Sequence, residues 1–370
     1  TGGAIQDIEP NGNLTFTRFL TSPGNPYAYW LLLSKTDNGG NLLWSKIYKH
    51  QTNPDFAGSV GIPHIYDDGN IFCTGRFQDA YDKPVVTAMD ESGNILWTNR
   101  YQHLTTPKYH LLASLLVSQN SSTLVMALHY YYDADIETDP NAKFGVQLVK
   151  INKADGSILQ QTSFMYYNDA AATIPNRAQL QKINYDTVSK RFVLVFEESG
   201  FGIHKFIFTL LDDNMNIVKT NFYSSSPNIL PLTKISISKE NVISLITPIQ
   251  NPQKLKYAIL NNDIEIITQK EISLNSIGFP NRNWQGDMAY KKNGILNFQL
   301  ATYTTFLQDY LFLFDHSPFY NTISPCLGKD SVIYSPVPIY VFPVPNPVIE
   351  EAGTVALQVT TQVPDSPPVD

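Results

Sequence analysis

Charge is scarce in this chain, and so is sulfur. Asp, Glu, Lys and Arg make up 16% of its 370 residues, and the net charge is −7. No Lys/Arg cluster occurs, which argues against nucleic acid as a partner, because phosphate neutralisation dominates that affinity. No apolar run approaches the roughly 20 residues of a membrane span, so direct insertion into a membrane is not expected. No signal peptide is visible. The chain opens Thr1-Gly2-Gly3 without Met, which reads as a mature or trimmed start.

Cysteine occurs twice, at Cys73 and Cys326. The two fall in repeats that are not neighbours, and a disulfide needs Cα atoms within about 7 Å. Buried free thiols and a bridge both stay open. Chemical signatures are equally sparse. There is no Gly-x-Ser-x-Gly elbow, no Walker loop and no dinucleotide fingerprint. None of the seven histidines has a metal-like partner two to four residues away, and His103 and His110 merely bracket a loop. No cofactor or metal is expected.

What the chain does have is a segment written twice. Residues 11–48 read NGNLTFTRFLTSPGNPYAYWLLLSKTDNGGNLLWSKIY, and residues 68–101 read DGNIFCTGRFQDAYDKPVVTAMDESGNILWTNRY. Each copy opens on Asn-Gly or Asp-Gly, a hairpin turn whose residues tolerate positive φ. An alternating run, an apolar run and a second turn follow, and a short stretch before the first turn supplies a fourth strand. Four antiparallel strands per repeat make the blade of a β-propeller. Weaker copies continue down the chain. The expected fold is all-β, a β-propeller of six four-stranded blades at about 5–48, 59–101, 111–164, 178–223, 232–272 and 287–328. A seventh blade would have to come from residues beyond one end.

Past Lys329 the composition shifts. Pro336, Pro338, Pro343, Pro345, Pro347, Pro364, Pro367 and Pro368 resist helix and central strand. Residues 329–370 therefore read as a linker and the start of a further β element. Val355, Leu357, Val359 and Val363 alternate with small or polar residues, which predicts a strand that pairs with a domain outside the propeller. The chain ends abruptly at Asp370, and the expectation is that the natural protein continues.

Several residues invite a functional reading. Asp37–Asn41 and Asp90–Asn94 are oxygen-rich loops, but neither has calcium-loop spacing, so turn chemistry is expected. Trp44 and Trp97 occupy equivalent positions and are expected to be mostly buried wedges between blades. Trp284, in the polar stretch FPNRNWQGD, reads as an exposed contact in a loop ahead of the sixth blade. Tyr130, Tyr131, Tyr132 and Asp133 open an aromatic and acidic loop of the kind that binds.

The pieces LLLSKTDNGGNLLWSKIY and VVTAMDESGNILWTNRY resemble the propeller repeats of secreted and cell-surface proteins of Bacteroidota. That resemblance implies export from the cytoplasm to the periplasm, surface or outside, often with the type IX secretion and gliding system. The same pieces are similar to quinoprotein dehydrogenase repeats through Ala88, Asp90, Gly93 and Trp97, but the Asp-to-Gly interval is one residue short and the vicinal cysteine pair is absent. Shared blade packing, not quinone chemistry, accounts for the match. With no assembled chemical site, the leading expectation is a non-catalytic module contacting envelope proteins or surface glycan. The alternative is a glycan lyase or hydrolase with an axial site.

Overall fold

The structure is a computed structural model that describes residues 4–8, 13–22, 25–50, 64–67, 69–77, 83–103, 109–132, 143–167, 179–200, 203–225, 234–249, 254–273, 283–290, 296–303, 310–316, 329–330, 334–337, 340–343, 349–354 and 357–361. The described residues are all-β. The first sheet holds β1 (Ala4–Ile8), β2 (Leu14–Ser22), β3 (Asn25–Thr36) and β4 (Leu42–His50). The second holds β5 (His64–Asp67), β6 (Asn70–Phe77), β7 (Lys83–Met89) and β8 (Ile95–His103). The third holds β9 (Tyr109–Asn120), β10 (Thr123–Tyr132), β11 (Lys143–Asn152) and β12 (Ile158–Tyr167). The fourth holds β13 (Gln179–Asp186), β14 (Arg191–Gly200), β15 (Ile203–Leu211) and β16 (Ile217–Ser225). The fifth holds β17 (Lys234–Ile237), β18 (Ile243–Ile249), β19 (Lys254–Leu260) and β20 (Ile266–Ser273). The sixth shows three strands among the described residues, β21 (Asn283–Tyr290), β22 (Leu296–Tyr303) and β23 (Tyr310–His316). Within every sheet the strands pair antiparallel in chain order, as in propeller blades.

Two compact units result, one of residues 1–165 with 343–370 and one of residues 166–342. The core lies between consecutive sheets. In the first unit, Leu33 and Tyr48 of the first sheet close on Ile71, Cys73, Val85 and Met89 of the second. Phe72, Val86, Ala88 and Tyr101 then close on Leu116, Leu124, Met126, Leu128, Val149 and Ile151 of the third. In the second unit, Val193, Val195, Phe206, Phe208 and Leu210 meet Ile243, Leu245, Ala258 and Leu260. Cys73 is a buried free thiol whose pKa burial pushes up to about 12. Cys326 lies outside the described residues.

One hairpin recurs between the third and fourth strands of the first five sheets. Asp37 accepts hydrogen bonds from the Gly39 and Asn41 amides through Oδ1 and from the Asn41 side chain through Oδ2. Asp90 and Asp212 repeat all three bonds with Ser92 and Asn94, and with Asn214 and Asn216. The residue before the last of each turn has positive φ, Gly40, Gly93, Gly156, Met215 and Ile264, and the third sheet's turn, residues 152–157, is one residue longer than the others. A register shift follows in all five hairpins, so each is a tight turn closed by a bulge. These bonds hold the Asp37 carboxyl below its ordinary value, the Asn41 side chain contributing most. Burial raises Asp90, but the bonds from Asn94 and Ser92, with Lys46 nearby, outweigh it and the net shift is downward. The carboxylates read as candidate calcium ligands are engaged in shaping their own turns.

These turns are where one sheet grips the next. Trp44 Nε1 donates to the Glu91 carbonyl at 3.0 Å, and Tyr48 Oη donates to the Gly93 carbonyl at 2.7 Å. One sheet further on, Trp97 donates to the Lys153 carbonyl at 2.9 Å and Tyr101 to the Gly156 carbonyl at 2.7 Å. In the second unit Tyr223 and Asn221 both donate to the Ile264 carbonyl, and Lys219 pairs with Glu265 at 2.7 Å. The indoles lie against the turn glycines: a Cβ on Gly156 would meet the Trp97 ring at 2.7 Å, and one on Gly93 would meet the Trp44 ring at 3.0 Å. Ring clearance requires glycine at these two turns, and glycine also takes the positive φ without strain. Where Lys219 replaces Trp, Ile264 stands at the glycine position and buries its own side chain between the sheets. Trp44 and Trp97 are wedges packed against the inter-sheet core and are mostly buried, as expected.

The proline-rich segment departs from expectation. β24 (Lys329–Asp330) pairs with β20, and β25 (Tyr334–Val337) pairs with β16. β26 spans Tyr340–Pro343, and then β27 (Ile349–Thr354) pairs with β8 and β28 (Leu357–Thr361) with β4. A strand does form around Leu357 and Val359, but it joins a sheet of this chain, not an outside domain. The physical reason is that the fourth strand of a sheet leaves a row of unpaired backbone groups, and the tail satisfies them. Val355 and Val363 lie outside the described residues.

Loss of one latch hydroxyl should be measurable. Tyr48→Phe and Tyr101→Phe should each lower unfolding free energy by about 1–2 kcal/mol in urea titrations, because a buried carbonyl loses its donor.

Candidate functional site at the loop-bearing ends of the sheets

In an antiparallel sheet taken in chain order, alternate connections emerge at opposite ends. At one end of these sheets lie the short turns 37–41, 90–94, 152–157, 212–216 and 261–265. The long connections 51–63, 133–142, 168–178, 226–233 and 274–282 all emerge at the opposite end. Rigid scaffolds place binding and catalytic groups on such loops. The short-turn end is committed to gripping neighbouring sheets, so the loop-bearing ends are where function has room.

The third sheet carries the richest chemistry there. Its strands β9, β10 and β11 run in register, so that Tyr132 stands opposite Tyr109 on one side and Lys143 on the other. One step inward, Tyr131 stands opposite His110 and Phe144. Residues directly opposite share a face of the sheet, so two rows form, each with aromatic and basic residue types. The connection that leaves Tyr132 reads DADIETDPNA, with Asp133, Asp135, Glu137 and Asp139. Asp133 and the rest of this connection lie outside the described residues.

Tyr130, Tyr131 and Tyr132, which read from sequence as opening a loop, stand at the end of the strand that runs into it. All three belong to β10, paired on both sides, because the ladder runs to the last tyrosine before the acidic residues begin. Tyr130 is fully buried and its ring covers Gly145, the residue opposite: a Cβ there would meet the ring at 2.9 Å. Tyr130 is therefore a core residue. Trp284 was expected in a loop ahead of the sixth blade. It lies in β21 opposite Thr302, because the polar stretch from Asn283 pairs along its full length with Leu296–Tyr303. His110, Phe144 and Lys143 are the residues that sequence reasoning missed. No spacing signals them, because register alone brings them to Tyr131 and Tyr132.

Two further basic residues belong to the same sheet and its short turn. His129 is fully buried in β10, and burial lowers its pKa to about 3, so the imidazole is neutral. Lys153, at the opposite end, donates to Ser118 Oγ at 2.9 Å and to the Asn120 carbonyl, and partial burial lowers its pKa to about 8. Among the described residues no group of three or more His, Cys, Asp and Glu could hold a metal ion.

No protein-family model matches the chain, and no curated protein matches it. Among solved structures it is similar to an α-L-arabinanase of Penicillium chrysogenum complexed with arabinobiose, at 12% identity and a TM-score of 0.49, covering 84% of this chain and 91% of that one. It is similar to an α-L-arabinofuranosidase of Fusarium graminearum at 12% identity and a TM-score of 0.41, covering 82% and 89%. It is similar to the NanB sialidase of Streptococcus pneumoniae at 11% identity and a TM-score of 0.36, covering 85% and 54%. These are β-propeller proteins. The expectation of a non-catalytic module, and of a chain that is not an enzyme, is corrected by this finding, which sets glycan-cleaving enzymes beside the chain. At these identities and TM-scores the likeness assigns it no activity and no substrate.

The buried imidazole makes stability depend on pH. In the unfolded chain His129 takes up a proton near pH 6.5, whereas the folded chain resists it down to about pH 3. Its contribution is therefore full above pH 6.5 and is lost as pH falls, by at most about 1.4 kcal/mol per unit. Urea titrations from pH 7 to 4 should show the wild type losing stability faster than His129→Leu. Parallel curves would place the proton uptake elsewhere.

Proposed function

We propose that this chain is a glycan-active enzyme, a hydrolase or lyase, whose sheets are propeller blades and whose substrate is met at their loop-bearing ends. The observation that carries this reading is the end of the third sheet. There the rows Tyr109, Tyr132, Lys143 and His110, Tyr131, Phe144 abut a connection with four carboxylates. Aromatic residues suit the apolar faces of sugar rings. Glycoside cleavage needs a pair of carboxyl groups, one as acid and the other as base or nucleophile, about 5–9.5 Å apart. Asp133, Asp135, Glu137 and Asp139 supply candidates for that pair, and His110 a candidate proton carrier. The partner is then a glycan, met outside the cytoplasm at the cell surface or in the periplasm, as the resemblance to exported Bacteroidota repeats supports.

The purified chain should release oligosaccharides from at least one member of a panel of neutral and acidic polysaccharides. Replacing the correct carboxylate among Asp133→Asn, Asp135→Asn, Glu137→Gln and Asp139→Asn should lower kcat about 100-fold or more without changing the melting temperature. Turnover equal to wild type in all four variants would remove this connection from the chemistry. No turnover of any glycan would remove the reading itself.

A further inference from the structure

Strands β4 and β8 are the outer strands of the first two sheets, and each is covered by a strand distant in sequence. Leu357 stands opposite His50, and the ladder runs to Thr361 opposite Lys46. Ile349 stands opposite His103, and that ladder runs to Thr354 opposite Asn99, with a bulge between Glu351 and Gly353. The latch tyrosines lie inside both ladders, Tyr48 opposite Val359 and Tyr101 opposite Glu351. The covering segments therefore sit on the strands that hold consecutive sheets together.

Charge is complementary at one of the two ladders: β27 carries Glu350 and Glu351 where β8 carries Arg100, whereas β28 on β4 is uncharged. Residues 343–370 contain no Lys and no Arg, and they carry Glu350, Glu351, Asp365 and Asp370. The accepting strands carry Lys46 and Lys49 in β4 and Arg100 in β8, with no carboxylate in either. Pro345, Pro347 and Pro364 flank the paired segments and limit them to short ladders, since proline cannot donate to a ladder. Each ladder alone is short for independent stability. Two in tandem on one tether reinforce each other through effective concentration.

We infer that the outer edges of β4 and β8 form a strand-binding site for an extended segment free of Lys and Arg and acidic where it meets β8, and that its resident ligand is residues 349–361 of the same chain. Main-chain hydrogen bonds supply the affinity, as in recognition by strand addition, and the basic edges disfavour segments that carry Lys or Arg. The ligand is separable from the site, so the site accepts the same segment supplied as a free peptide.

The full chain with a protease site placed in the 344–348 connection tests this after folding and cutting. Amide exchange at 46–50 and 99–103 is followed by mass spectrometry. A high-salt wash that removes the cut fragment should speed exchange at both segments by about tenfold or more. A synthetic peptide of residues 343–370, added at low salt, should restore protection, and a scrambled peptide of equal composition should not. A fragment that resists the wash supports the site as well. In the uncut chain, either Gln358→Pro or Val359→Pro should speed exchange at 46–50 and spare 99–103, because alternate residues of a ladder donate toward a given neighbour. Unchanged exchange after loss of the fragment, or equal rescue by the scrambled peptide, would overturn the inference.

Discussion

The structure depends on one repeated contact. An aromatic side chain near the start of an outer strand lies against a positive-φ turn of the next sheet, and four residues later a tyrosine hydroxyl binds that turn's carbonyl. Both partners are local products of the sequence. The turn is built by Asp or Asn at its first position, and the bulge that follows aims the outer strand toward its neighbour. A sheet has only one apolar face toward each neighbour, so this contact fixes which sheets meet and in what register. The second unit shows how far the contact can be rewritten. With Lys219 in place of Trp and Ile264 in place of Gly, an ion pair and a buried side chain perform the same task.

Fixing the sheets by their short turns has two consequences. The outer strands still have a free edge, a recurring hazard of sheet proteins, and the tail answers it with short strands laid along the outer strands in each unit. The opposite ends are then released from structural duty. Long connections accumulate there, and residues distant in sequence come into register at their base. The function proposed for this chain is placed where the fold makes the fewest demands.

Much of this is legible in the sequence, for reasons that particular residues make clear. Asp37-Asn38-Gly39-Gly40-Asn41 and Asp90-Glu91-Ser92-Gly93-Asn94 announce their turns because side-chain capping and positive φ restrict the residue types allowed. The paired Trp44 and Trp97 announce a wedge. The tail's partner is not legible, because strand pairing is made by main-chain groups and leaves no side-chain code beyond alternation at Leu357 and Val359. Trp284 reads as a loop residue because its polar neighbours resemble loop composition, whereas ladder pairing decides where a strand starts. His110 and Phe144 are far from Tyr131 in the chain, and only register joins them. A candidate site made by register is beyond reach of spacing arguments.

The central claim is that the indole and the turn glycine form one interlocked unit. A double-mutant cycle of Trp97→Ala and Gly156→Ala, read by urea unfolding, tests it most directly. In the wild type an added methyl at Gly156 collides with the Trp97 ring at 2.7 Å. Asn99 Nδ2 at 2.5 Å and the positive φ still oppose the methyl, but removing the ring lifts one collision, so the cost of Gly156→Ala should fall in the Trp97→Ala background, with a coupling of about 1–3 kcal/mol between the two sites. Additivity within about 0.5 kcal/mol would contradict the account, because residues that do not share a contact add in that way.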